Sequence, residues 1–584
     1  MDTESILLTS KLDFRLLFWA LILSLGGCGQ SPPQTLPNTS ESTPLKMPDL
    51  AQSKEANKPP KLNYGPKQVQ SPTYIDEAKK YGLDSVESIQ NYQIDLDGDY
   101  RSDLVVLPDF SSVPRFFLFN SKKKRFQETT GRIEGNPRAS FLHFNDYNGD
   151  GILDLIVAVY NYKTVLTQRP LRFYRGEKSS KGLFFRFVKG AFRGPPLKPT
   201  SMTALDFNRD GRLDLLVTHR ASRGKYPQTL QLLQNEKNGN SVSFKDVSGS
   251  LSLSRMLAQA PASSATLCQM GPRREMSIGV LNDSGYENLL WGFSVNSKNN
   301  PIFSRRYREV FGMDQQGSRL NRGGGNSQFA LCHDFNGDGI QDLFIGEKVS
   351  PFDGPQIDRS SIIVAEGEKY FRNPIDLGPG HEVSNLHNVL VLGSNSRNKT
   401  KVLLENTAFP PHTRLEVFDV DSRSLIFEPD LNSGLDLINP SGAILIDVNQ
   451  DGVREILVGQ TSKRASELPR RMYLFKERIP ANRHYLIYLI GKKSGVNPLG
   501  SRITLVTNKG KRSFFIGGDA GRWGRRSEPA IEFRLAPKER ARYLEINWAS
   551  GGKRRYKLKN HEKGAKAYTL CEGATSLRLG RGPC

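Results

Sequence analysis

Short apolar runs follow clusters of acidic, amide and glycine residues at regular places along this chain. In the clearest case, residues Asp334 to Asp342 carry an oxygen side chain at positions 1, 3, 5 and 9, and the apolar run Leu343-Phe344-Ile345 follows at once. A short apolar run after a turn signal is typical of a buried strand. The pattern therefore predicts a polar loop followed by a strand as the repeated unit of the chain.

The same unit recurs through most of the sequence. Four further copies begin at Asp95, Asp146, Asp206 and Asp447, and each leads into an apolar run. Two degenerate copies, which we call worn copies because they have lost most of the acidic residues, lie at 282–290 and 393–404. They fill the wide gaps on either side of Asp334, which makes seven units of about sixty residues. Several short strands per unit, without long helical periodicity between them, indicate a β-propeller rather than a doubly wound α/β sheet.

The C-terminal part has a different pattern and forms a separate predicted unit. Strand-like runs lie at 485–490, 502–506, 513–516, 531–535, 543–548 and 555–558, with Gly and Asn in the turns. Such runs are typical of a small β-sandwich or barrel. We therefore predict an all-β chain, in which a seven-bladed β-propeller at 73–478 precedes a small β-sandwich or barrel at 480–572 and a tail at 573–584.

The polar loops have the composition of calcium sites. Calcium takes six to eight oxygen ligands, and glycines between the acids let the backbone turn sharply enough to gather them. Side chains at positions 1, 3, 5 and 9 and the backbone carbonyl at position 7 would supply the ligands. The predicted ligand sets are Asp95, Asp97, Asp99, Arg101 and Asp103; Asp146, Asn148, Asp150, Ile152 and Asp154; Asp206, Asn208, Asp210, Arg212 and Asp214; Asp334, Asn336, Asp338, Ile340 and Asp342; and Asp447, Asn449, Asp451, Val453 and Glu455.

Five matching loops predict about five calcium ions per chain, and the two worn copies are expected to bind none. The alternative is that clusters of Asp, Asn and Gly only form hairpin turns through Asx hydrogen bonds. Each loop, however, brings three or four carboxylates together. Their mutual repulsion is unfavourable unless a divalent ion neutralises it, which favours the calcium hypothesis.

The loops resemble the FG-GAP repeats of integrin-type seven-bladed β-propellers, over about residues 73–478. The resemblance implies that calcium is held at a loop between two strands of a blade. The segments 126–131 and 244–248 resemble a second segment that is common in bacterial VCBS-type proteins. Two loops depart from the repeat, because Tyr100 stands where the first loop would have glycine and Glu455 replaces the last aspartate of the fifth.

The C-terminal unit resembles the ASPIC/UnbV domain that often follows FG-GAP propellers, as in the cartilage acidic protein family. The resemblance spans about 480–572 and rests on the segments 482–485, 500–503, 532–535 and 548–551. Ala549 replaces the proline of the family's Trp-Pro-Ser-Gly turn, and a Phe-Gly-Leu-Gly element is reduced to Phe533-Arg534-Leu535. The chain is therefore a divergent relative, and the resemblance implies no particular chemistry.

The N-terminus has a basic and then apolar stretch that ends at Leu25-Gly26-Gly27-Cys28. It is too short to span a bilayer comfortably. It resembles a bacterial lipoprotein signal peptide at 1–28, which implies lipidation of Cys28; the alternative is an ordinary secretory signal. Gly29 rather than aspartate follows the cysteine, which favours the outer membrane. Residues 29–72 are rich in Pro, Ser, Thr, Asn, Gln and Lys and predict a disordered tether.

The remaining cysteines agree with export. Apart from Cys28 there are four, an even number suited to an oxidising compartment, and three pairings are possible. We favour Cys571 with Cys584, which closes a short C-terminal loop, and Cys268 with Cys332 in adjoining blades. Free buried thiols are the alternative for the second pair, and no cysteine spacing suggests zinc.

Positive charge is concentrated in the C-terminal unit. Residues 481–584 contain 23 Lys/Arg against 7 Asp/Glu, a balance of +16 within the chain's +22. The clusters at 509–512, 522–526 and 553–557 mix cations with aromatic residues, as surfaces for polyanions do. Export makes nucleic acid an unlikely target, so anionic glycan, lipopolysaccharide or anionic lipid headgroups fit better. The alternative is a basic face that is merely solvated.

Catalysis has little support in the sequence. It has no Gly-x-Ser-x-Gly elbow, His-Glu-x-x-His or Walker loop, and we interpret His143 and His333, which precede two of the loops, as packing residues. We predict a calcium-binding, membrane-anchored lipoprotein that acts as a binding or adhesion module for an anionic glycan or a protein. The alternative is a carbohydrate-active enzyme, such as a polysaccharide lyase, that uses the propeller face or central channel.

Overall fold

The computed structural model describes residues 71–584 with gaps. The gaps are 161–169, 195–196, 220–229, 239–240, 252–261, 271–275, 283–287, 297–300, 309–326, 349–359, 368, 378–385, 397–398, 407–413, 436, 462–468, 479–483, 518–529, 537 and 559–563. The predicted signal peptide, Cys28, nearly all of the tether and the basic cluster at 522–526 therefore lie outside the described residues. Within the described part of the chain, no helix is long and apolar enough to cross a membrane.

Among the described residues, seven small sheets, which we number I to VII, follow the chain order, and all but one of their strand pairings are antiparallel. The elements are β1 (Tyr74–Asp76), α1 (Ala78–Tyr81), and then, in sheet I, β2 (Gln90–Ile94), β3 (Asp103–Leu107), β4 (Arg115–Asn120) and β5 (Arg125–Thr129); in sheet II, β6 (Phe141–Asn145), β7 (Asp154–Ala158), β8 (Leu171–Ser179) and β9 (Gly182–Val188); in sheet III, β10 (Phe192–Arg193), β11 (Pro199–Leu205), β12 (Asp214–His219), β13 (Leu230–Asn238) and β14 (Ser241–Asp246), followed by a 3₁₀ turn (Ser248–Leu251); in sheet IV, β15 (Ala262–Gln269), β16 (Met276–Asn282), β17 (Leu289–Val295) and β18 (Pro301–Arg308); in sheet V, β19 (Ser327–His333), β20 (Asp342–Glu347), β21 (Ser361–Glu366) and β22 (Lys369–Pro374); in sheet VI, β23 (Leu386–Ser396), β24 (Lys399–Asn406), β25 (Arg414–Asp421), β26 (Phe427–Pro429) and β27 (Leu437–Ile438); and in sheet VII, β28 (Pro440–Ile446), β29 (Glu455–Gln460) and β30 (Met472–Glu477) together with β1.

The sheets close into a ring. β1, the first strand of the chain, pairs antiparallel with β30 and so becomes the outer strand of the last sheet. The inner strands β11, β15, β19, β23 and β28 of successive sheets lie side by side, and β28 of sheet VII contacts β2 of sheet I. The predicted all-β, propeller-like fold is therefore confirmed.

Buried apolar side chains lie between each pair of consecutive sheets. Between sheets I and II, for example, Tyr92 and Val105 pack with Phe144 and Leu155, and a similar cluster joins sheet VII to sheet I. Each sheet thus has a neighbour on both faces, which explains why strands such as β3 and β7 are buried along their whole length and read as continuous apolar runs.

Polar side chains join the inner strands of neighbouring sheets. Gln90 donates to the Ser140 carbonyl at 3.0 Å, and Asn91 donates to the Gly442 carbonyl at 2.7 Å across the point where the ring closes. Thr200 donates to the Ala262 carbonyl at 2.8 Å in the same way. These bonds satisfy backbone carbonyls that would otherwise be buried without a partner, so they favour a single register between sheets.

The C-terminal domain is a sandwich of two sheets. Sheet VIII has the order β34-β31-β37-β38, and sheet IX has the order β33-β32-β35-β36. The strands are β31 (His484–Ile490), β32 (Arg502–Thr507), β33 (Gly510–Phe515), β34 (Ala530–Arg534), β35 (Ala541–Asn547), β36 (Lys553–Lys557), β37 (Ala565–Cys571) and β38 (Arg578–Leu579). One apolar cluster lies between the two sheets, with Ile487, Phe533 and Leu570 on one side and Leu505 and Ile546 on the other.

Two elements of this domain were not in the predicted set of strands. β37 pairs parallel with β31 along its whole length, which places it in the middle of sheet VIII. Residues 573–584, predicted as a tail, continue this sheet as β38. The structure also pairs Cys571 with Cys584 and Cys268 with Cys332, each with Cα atoms 5.6 Å apart, so the last residue of the chain is bonded to β37.

The outer face of sheet VIII packs against the propeller. Arg454 of the propeller lies 3.1 Å from Glu532, and Arg534 lies 2.8 Å from Glu477 of β30, with these side chains largely buried. Asn497 donates to Asn145 at 2.9 Å, and Arg581 donates to Ser102 at 3.0 Å. The propeller residues in these contacts lie in or next to the predicted metal loops or at the end of β30, so the C-terminal domain covers the end of the propeller that carries these loops.

Candidate metal loops

Each predicted metal loop joins the inner strand of a sheet to the strand beside it, which in sheet III means β11 to β12 because β10 is the outer strand. We number them loop 1 (95–103), loop 2 (146–154), loop 3 (206–214), loop 4 (334–342) and loop 5 (447–455); they lie in sheets I, II, III, V and VII. Because the inner strands surround the centre of the ring, all five loops lie at the same end of it.

The backbone at positions 4 and 6 of every loop is left-handed. Glycine occupies both positions in loops 2 and 4, where φ lies between +76° and +87°. Tyr100, Arg209 and Gln450 adopt the same conformation with φ of +64°, +58° and +59°. A residue with a Cβ is strained there, so the loop geometry is kept even where the sequence departs from glycine.

In each loop, side-chain oxygens at positions 1 and 3 accept backbone N–H groups of the loop itself. In loop 4 the Asp334 carboxylate accepts the N–H groups of Gly337 at 2.7 Å and Gly339 at 2.9 Å. The Asp338 N–H donates to the Asn336 side chain at 3.1 Å. These are Asx turns, and they collect the side-chain oxygens of positions 1, 3 and 5 in one place. In loop 1, which has acid at all three positions, oxygens of Asp95, Asp97 and Asp99 lie within 4.8 Å of one another.

The position-9 carboxylate ties the loop to its sheet. In loop 1, Asp103 accepts the Leu96 N–H at 2.8 Å with one oxygen and the Phe119 N–H of β4 at 2.7 Å with the other. In loops 2, 3 and 4 the equivalent carboxylates accept the same two kinds of N–H group, one from the loop and one from the third strand counted outward from the inner one; these carboxylates belong to Asp154, Asp214 and Asp342. An ionised carboxylate has about four lone-pair sites, so these bonds leave acceptor capacity for a cation.

Loop 5 differs because its ninth residue is Glu455. One Glu455 oxygen accepts the Val448 N–H at 3.0 Å, whereas Oε1 has no hydrogen-bond partner among the described residues and lies 3.7 Å from Lys476 Nζ. Oδ1 of Asp447 is also buried and unpartnered within the same set. Both residues are only 1 % exposed. Asp447 Oδ1 thus has no hydrogen bond or ion pair among the described residues, and Glu455 Oε1 has only the longer contact with Lys476, so this buried place favours a cation.

Burial raises the pKa of the loop carboxyls. The pKa values of Asp103, Asp214 and Asp342 rise to about 8, and that of Glu455 also rises to about 8. Desolvation is the main cause, and the neighbouring carboxylates of the same loop add to it. A divalent ion would reverse both effects, because it favours the ionised form of every carboxyl around it.

Nearby cations distinguish the loops from one another. Arg212 pairs with Asp210 inside loop 3, and Lys476 lies 2.7 Å from Asp451 of loop 5. Burial raises the pKa of Asp95, and the positive charge of Arg581 in the C-terminal domain partly offsets that rise. In loops 2 and 4 no ion pair is found between the loop acids and the described cations, so these two loops have the least competition for a metal ion.

Loop 1 opens onto a cavity of about 410 Å³ between sheets I and II and the C-terminal domain. Asp95 and Asp97 line one side, and Tyr488, Asn497 and Arg581 line the other. Arg581 lies over the Tyr488 ring at 5.2 Å. Water and ions can therefore reach the loop 1 carboxylates without any movement of the two domains.

The worn copies do not form such loops in the described part of the chain. In sheet IV, residues 283–287, which make up most of the worn copy at 282–290, lie outside the described part. In sheet VI, β23 ends at Ser396 and β24 begins at Lys399, so the two strands are too close in sequence for a nine-residue loop between them.

The two histidines before the loops are buried among packed side chains. His143 is fully buried and hydrogen bonds to the Tyr147 hydroxyl. His333 packs edge-on against Phe335 and contacts Phe514 of the C-terminal domain, and burial lowers its pKa to about 4. Both placements agree with packing roles.

Sequence reasoning missed the C-terminal residues that contact the loops. The Tyr488 hydroxyl donates to Asp447 at 3.1 Å, and Gly452 lies so close to β37 that a Cβ there would be 3.0 Å from the Ala567 nitrogen. Nothing in the sequence marks Tyr488, because it lies within the continuous apolar run 485–490, which has the pattern of an ordinary buried strand. Only the docking of the two domains makes it part of the site.

Two of the three predicted basic clusters, 509–512 and 553–557, contribute residues to one surface of the C-terminal domain. The outward face of sheet IX carries exposed cations from its two edge strands, which we call the basic face: Lys511, Lys553, Arg555 and Lys557. Arg502 of β32 lies on the same side by register but is only partly exposed, and its Nε is buried. The register also places Glu545 on this face, where it pairs with Arg555 at 2.6 Å. Arg512, from the same cluster as Lys511, instead makes a buried ion pair with Glu539 at 3.0 Å.

Comparison with known families supports the repeat. The model of the FG-GAP-like repeat matches residues 95–157 and 146–217, which contain loops 1 to 3 with the strands that follow them. FG-GAP-like repeats are therefore present at 95–217. No curated protein sequence matches the chain.

Solved structures of several propeller-like proteins resemble the chain at low identity. The exotype rhamnogalacturonan lyase YesX is 9 % identical, covers 70 % of this chain and 75 % of its own, and has a TM-score of 0.39. The extracellular domain of a one-component system from B. thetaiotaomicron is 8 % identical, with 86 % and 60 % coverage and a TM-score of 0.39. Sqt1 of Saccharomyces cerevisiae is 9 % identical, with 70 % and 98 % coverage and a TM-score of 0.37. Scores at this level carry no argument about function.

Proposed function

We propose that this protein is a calcium-binding propeller of the cell envelope that acts as a binding module. The observation that carries the calcium part is the pair of buried oxygens in loop 5, Asp447 Oδ1 and Glu455 Oε1, which have no hydrogen-bond partner among the described residues. The second oxygen of each carboxylate does accept hydrogen bonds, but burying the first without one is unfavourable, and a divalent cation bound there offsets the lost solvation. The other four loops have the same ligand pattern, so we expect about five ions per chain.

The binding partner we propose is an anionic glycan or lipopolysaccharide, and the basic face is its docking surface. Lys553, Arg555 and Lys557 lie along the edge strand β36, where all three are exposed, and Lys511 is exposed on the opposite edge strand. Glu545 is the one acidic residue that the register of the described strands places on this face. A surface of one sign raises the local concentration of a polyanion and speeds its association. A protein with an acidic surface is the alternative partner.

We expect the protein to bind immobilised lipopolysaccharide or polygalacturonate at low salt and to lose affinity as salt rises, because screening shortens the reach of the basic face. The double variant Lys553→Ala, Lys557→Ala should weaken binding by about 2 kcal/mol, roughly thirtyfold, if each lysine contributes about 1 kcal/mol. Surface plasmon resonance in calcium and in EDTA measures both effects.

The matched control is Lys122→Ala, Lys123→Ala, which removes two exposed lysines from a hairpin of sheet I. It should leave the affinity nearly unchanged. Equal losses in the two double variants, or binding that does not respond to salt, would show that the basic face is only a solvated surface.

We also propose that lipid on Cys28 anchors the protein in the outer membrane. Cys28→Ser should move it from the membrane fraction to the soluble fraction, because the lipid is the anchor that the sequence predicts after signal cleavage. Membrane fractionation and incorporation of labelled fatty acid are the measurements. A variant that stays in the membrane, with an unlabelled wild type, would contradict the anchor.

A further inference from the structure

Loop 5 lies at the boundary between the two domains. Tyr488 of β31 donates its hydroxyl to Asp447 at 3.1 Å. Gly452 at position 6 has β37 directly against it, since a Cβ there would meet the Ala567 nitrogen at 3.0 Å and Lys566 at 3.1 Å. Arg454 at position 8 reaches Glu532 of β34 at 3.1 Å. Three residues of the loop thus each contact a different strand of the C-terminal domain, namely β31, β37 and β34.

The buried arginines beside this contact pair with carboxylates other than the loop acids. Glu532 is bonded by Arg454 and by Arg534 at 2.8 Å, and Arg534 also holds Glu477 at 2.8 Å. Both arginines are therefore engaged with other carboxylates. Among the described cations, only Lys476 is near the loop acids, and it lies closer to Asp451 than to the buried Glu455.

Loop 4 has the same ligand pattern but a different setting. Its hydrogen bonds outside the loop go to its own sheet and to sheet IV, for example between Gln341 and Gln269. In the described residues, no ion pair or hydrogen bond joins its acids to the C-terminal domain. Loops 4 and 5 therefore differ in whether an ion would sit between two domains or within one.

We propose that a calcium ion in loop 5 holds the C-terminal domain against the propeller. The ion supplies positive charge to Asp447, which has no ion pair among the described residues, and to Glu455, which has only Lys476 at 3.7 Å. It also fixes the loop in the shape against which Tyr488 and β37 pack. Docking of the domain and occupancy of loop 5 are then linked, so that each favours the other. This inference rests on the proposed binding of calcium.

The test is hydrogen exchange of the full-length protein, followed at the amides of β34, which lies against β23 of the propeller. The matched variants Asp451→Asn and Asp338→Asn each remove the exposed position-5 carboxylate of one loop and keep an oxygen for the position-7 N–H. With calcium about tenfold above its Kd, loss of a linked ion should raise the exchange of β34 about tenfold. We expect this for Asp451→Asn and for EDTA, and no change for Asp338→Asn.

Tyr488→Phe is a second variant that leaves the loop intact. At a calcium concentration high enough to keep loop 5 filled, as counted by native mass spectrometry, it should still reduce the difference in β34 exchange between calcium and EDTA. If no ion binds at all, the proposed calcium binding is wrong. If ions bind and Asp451→Asn loses one, but β34 exchanges equally in all forms, then calcium binding stands and the link between loop 5 and docking is wrong.

Discussion

Removal of calcium is expected to destabilise the propeller by about 7 kcal/mol. If each site has a Kd on the order of 0.1 mM, then about 1 mM free calcium stabilises the fold by roughly 1.4 kcal/mol per site. Five independent sites add to a value comparable with the typical net stability of about 5 to 15 kcal/mol. Thermal melts in EDTA and in millimolar calcium measure the shift, and elemental analysis counts the ions.

The sign of the pH dependence follows from the raised pKa values. Burial raises the pKa of Asp342 and of Glu455 to about 8, so protons compete with calcium for these carboxyls below that pH. Protonation is complete at low pH, and the stabilisation by calcium should be lost as pH falls through this range. The difference between the melting temperatures in calcium and in EDTA should therefore be larger at pH 8.5 than at pH 5.5.

Single-loop variants provide the controls for this prediction. Asp338→Ala should remove about one ion and part of the shift, because it removes a position-5 ligand from loop 4. Asp283→Ala, in a worn copy, should change neither. Superimposable melts in EDTA and calcium, together with a protein that contains no metal, would mean that the loops are only Asx turns.

Replacing Arg534 with methionine is expected to cost about 3 to 5 kcal/mol, because it leaves the buried carboxylate of Glu477 without its partner. Arg534 joins Glu477 and Glu532, each at 2.8 Å, across the boundary between the domains. Burial alone would raise the pKa of Glu532, but the charges of His484, Arg534 and Arg454 hold it well below its usual range. The acid is therefore ionised and depends on these cations.

Denaturant unfolding of Arg534→Met measures this loss, and two further variants identify its cause. Arg555→Met breaks an exposed pair with Glu545, in which Arg555 is 71 % exposed, and should cost less than about 1 kcal/mol. Adding Glu477→Gln to Arg534→Met should recover part of the loss, since the uncompensated charge is then removed. Equal effects of Arg534→Met and Arg555→Met would contradict the role of the buried pair.

The all-β class, the repeat and the positions of the loops could be predicted because they are encoded locally. Nine residues contain the whole loop: the Asx turns, the left-handed positions and the position-9 anchor all form within it or to the adjacent strand. The continuous apolar runs after the loops predicted strands buried on both faces. Even Tyr100, a departure from the repeat, adopts the left-handed backbone that glycine has elsewhere.

Three features could not be predicted, because they depend on residues far apart in the chain. β1 closes the ring by pairing with β30, yet a three-residue strand has no pattern of its own. β37 lies in the middle of sheet VIII although its sequence has few large apolar residues, since its neighbours bury it. The basic face depends on strand register, which puts Lys511 and Lys553 on one side and sends Arg512 to Glu539.

The sequence by itself therefore determined where cations could bind, because carboxylate spacing and turn geometry are properties of a short segment. The tertiary structure decided which of these loops has buried carboxylate oxygens without a hydrogen bond among the described residues. Glu455 is buried within its own sheet, as Asp103 and Asp342 are, whereas Asp447 contacts Tyr488 where the C-terminal domain packs over loop 5. The nearby arginines Arg454 and Arg534 pair with Glu532 and Glu477. Desolvation and pairing of charges depend on every element within a few ångströms, and no stretch of sequence contains that information.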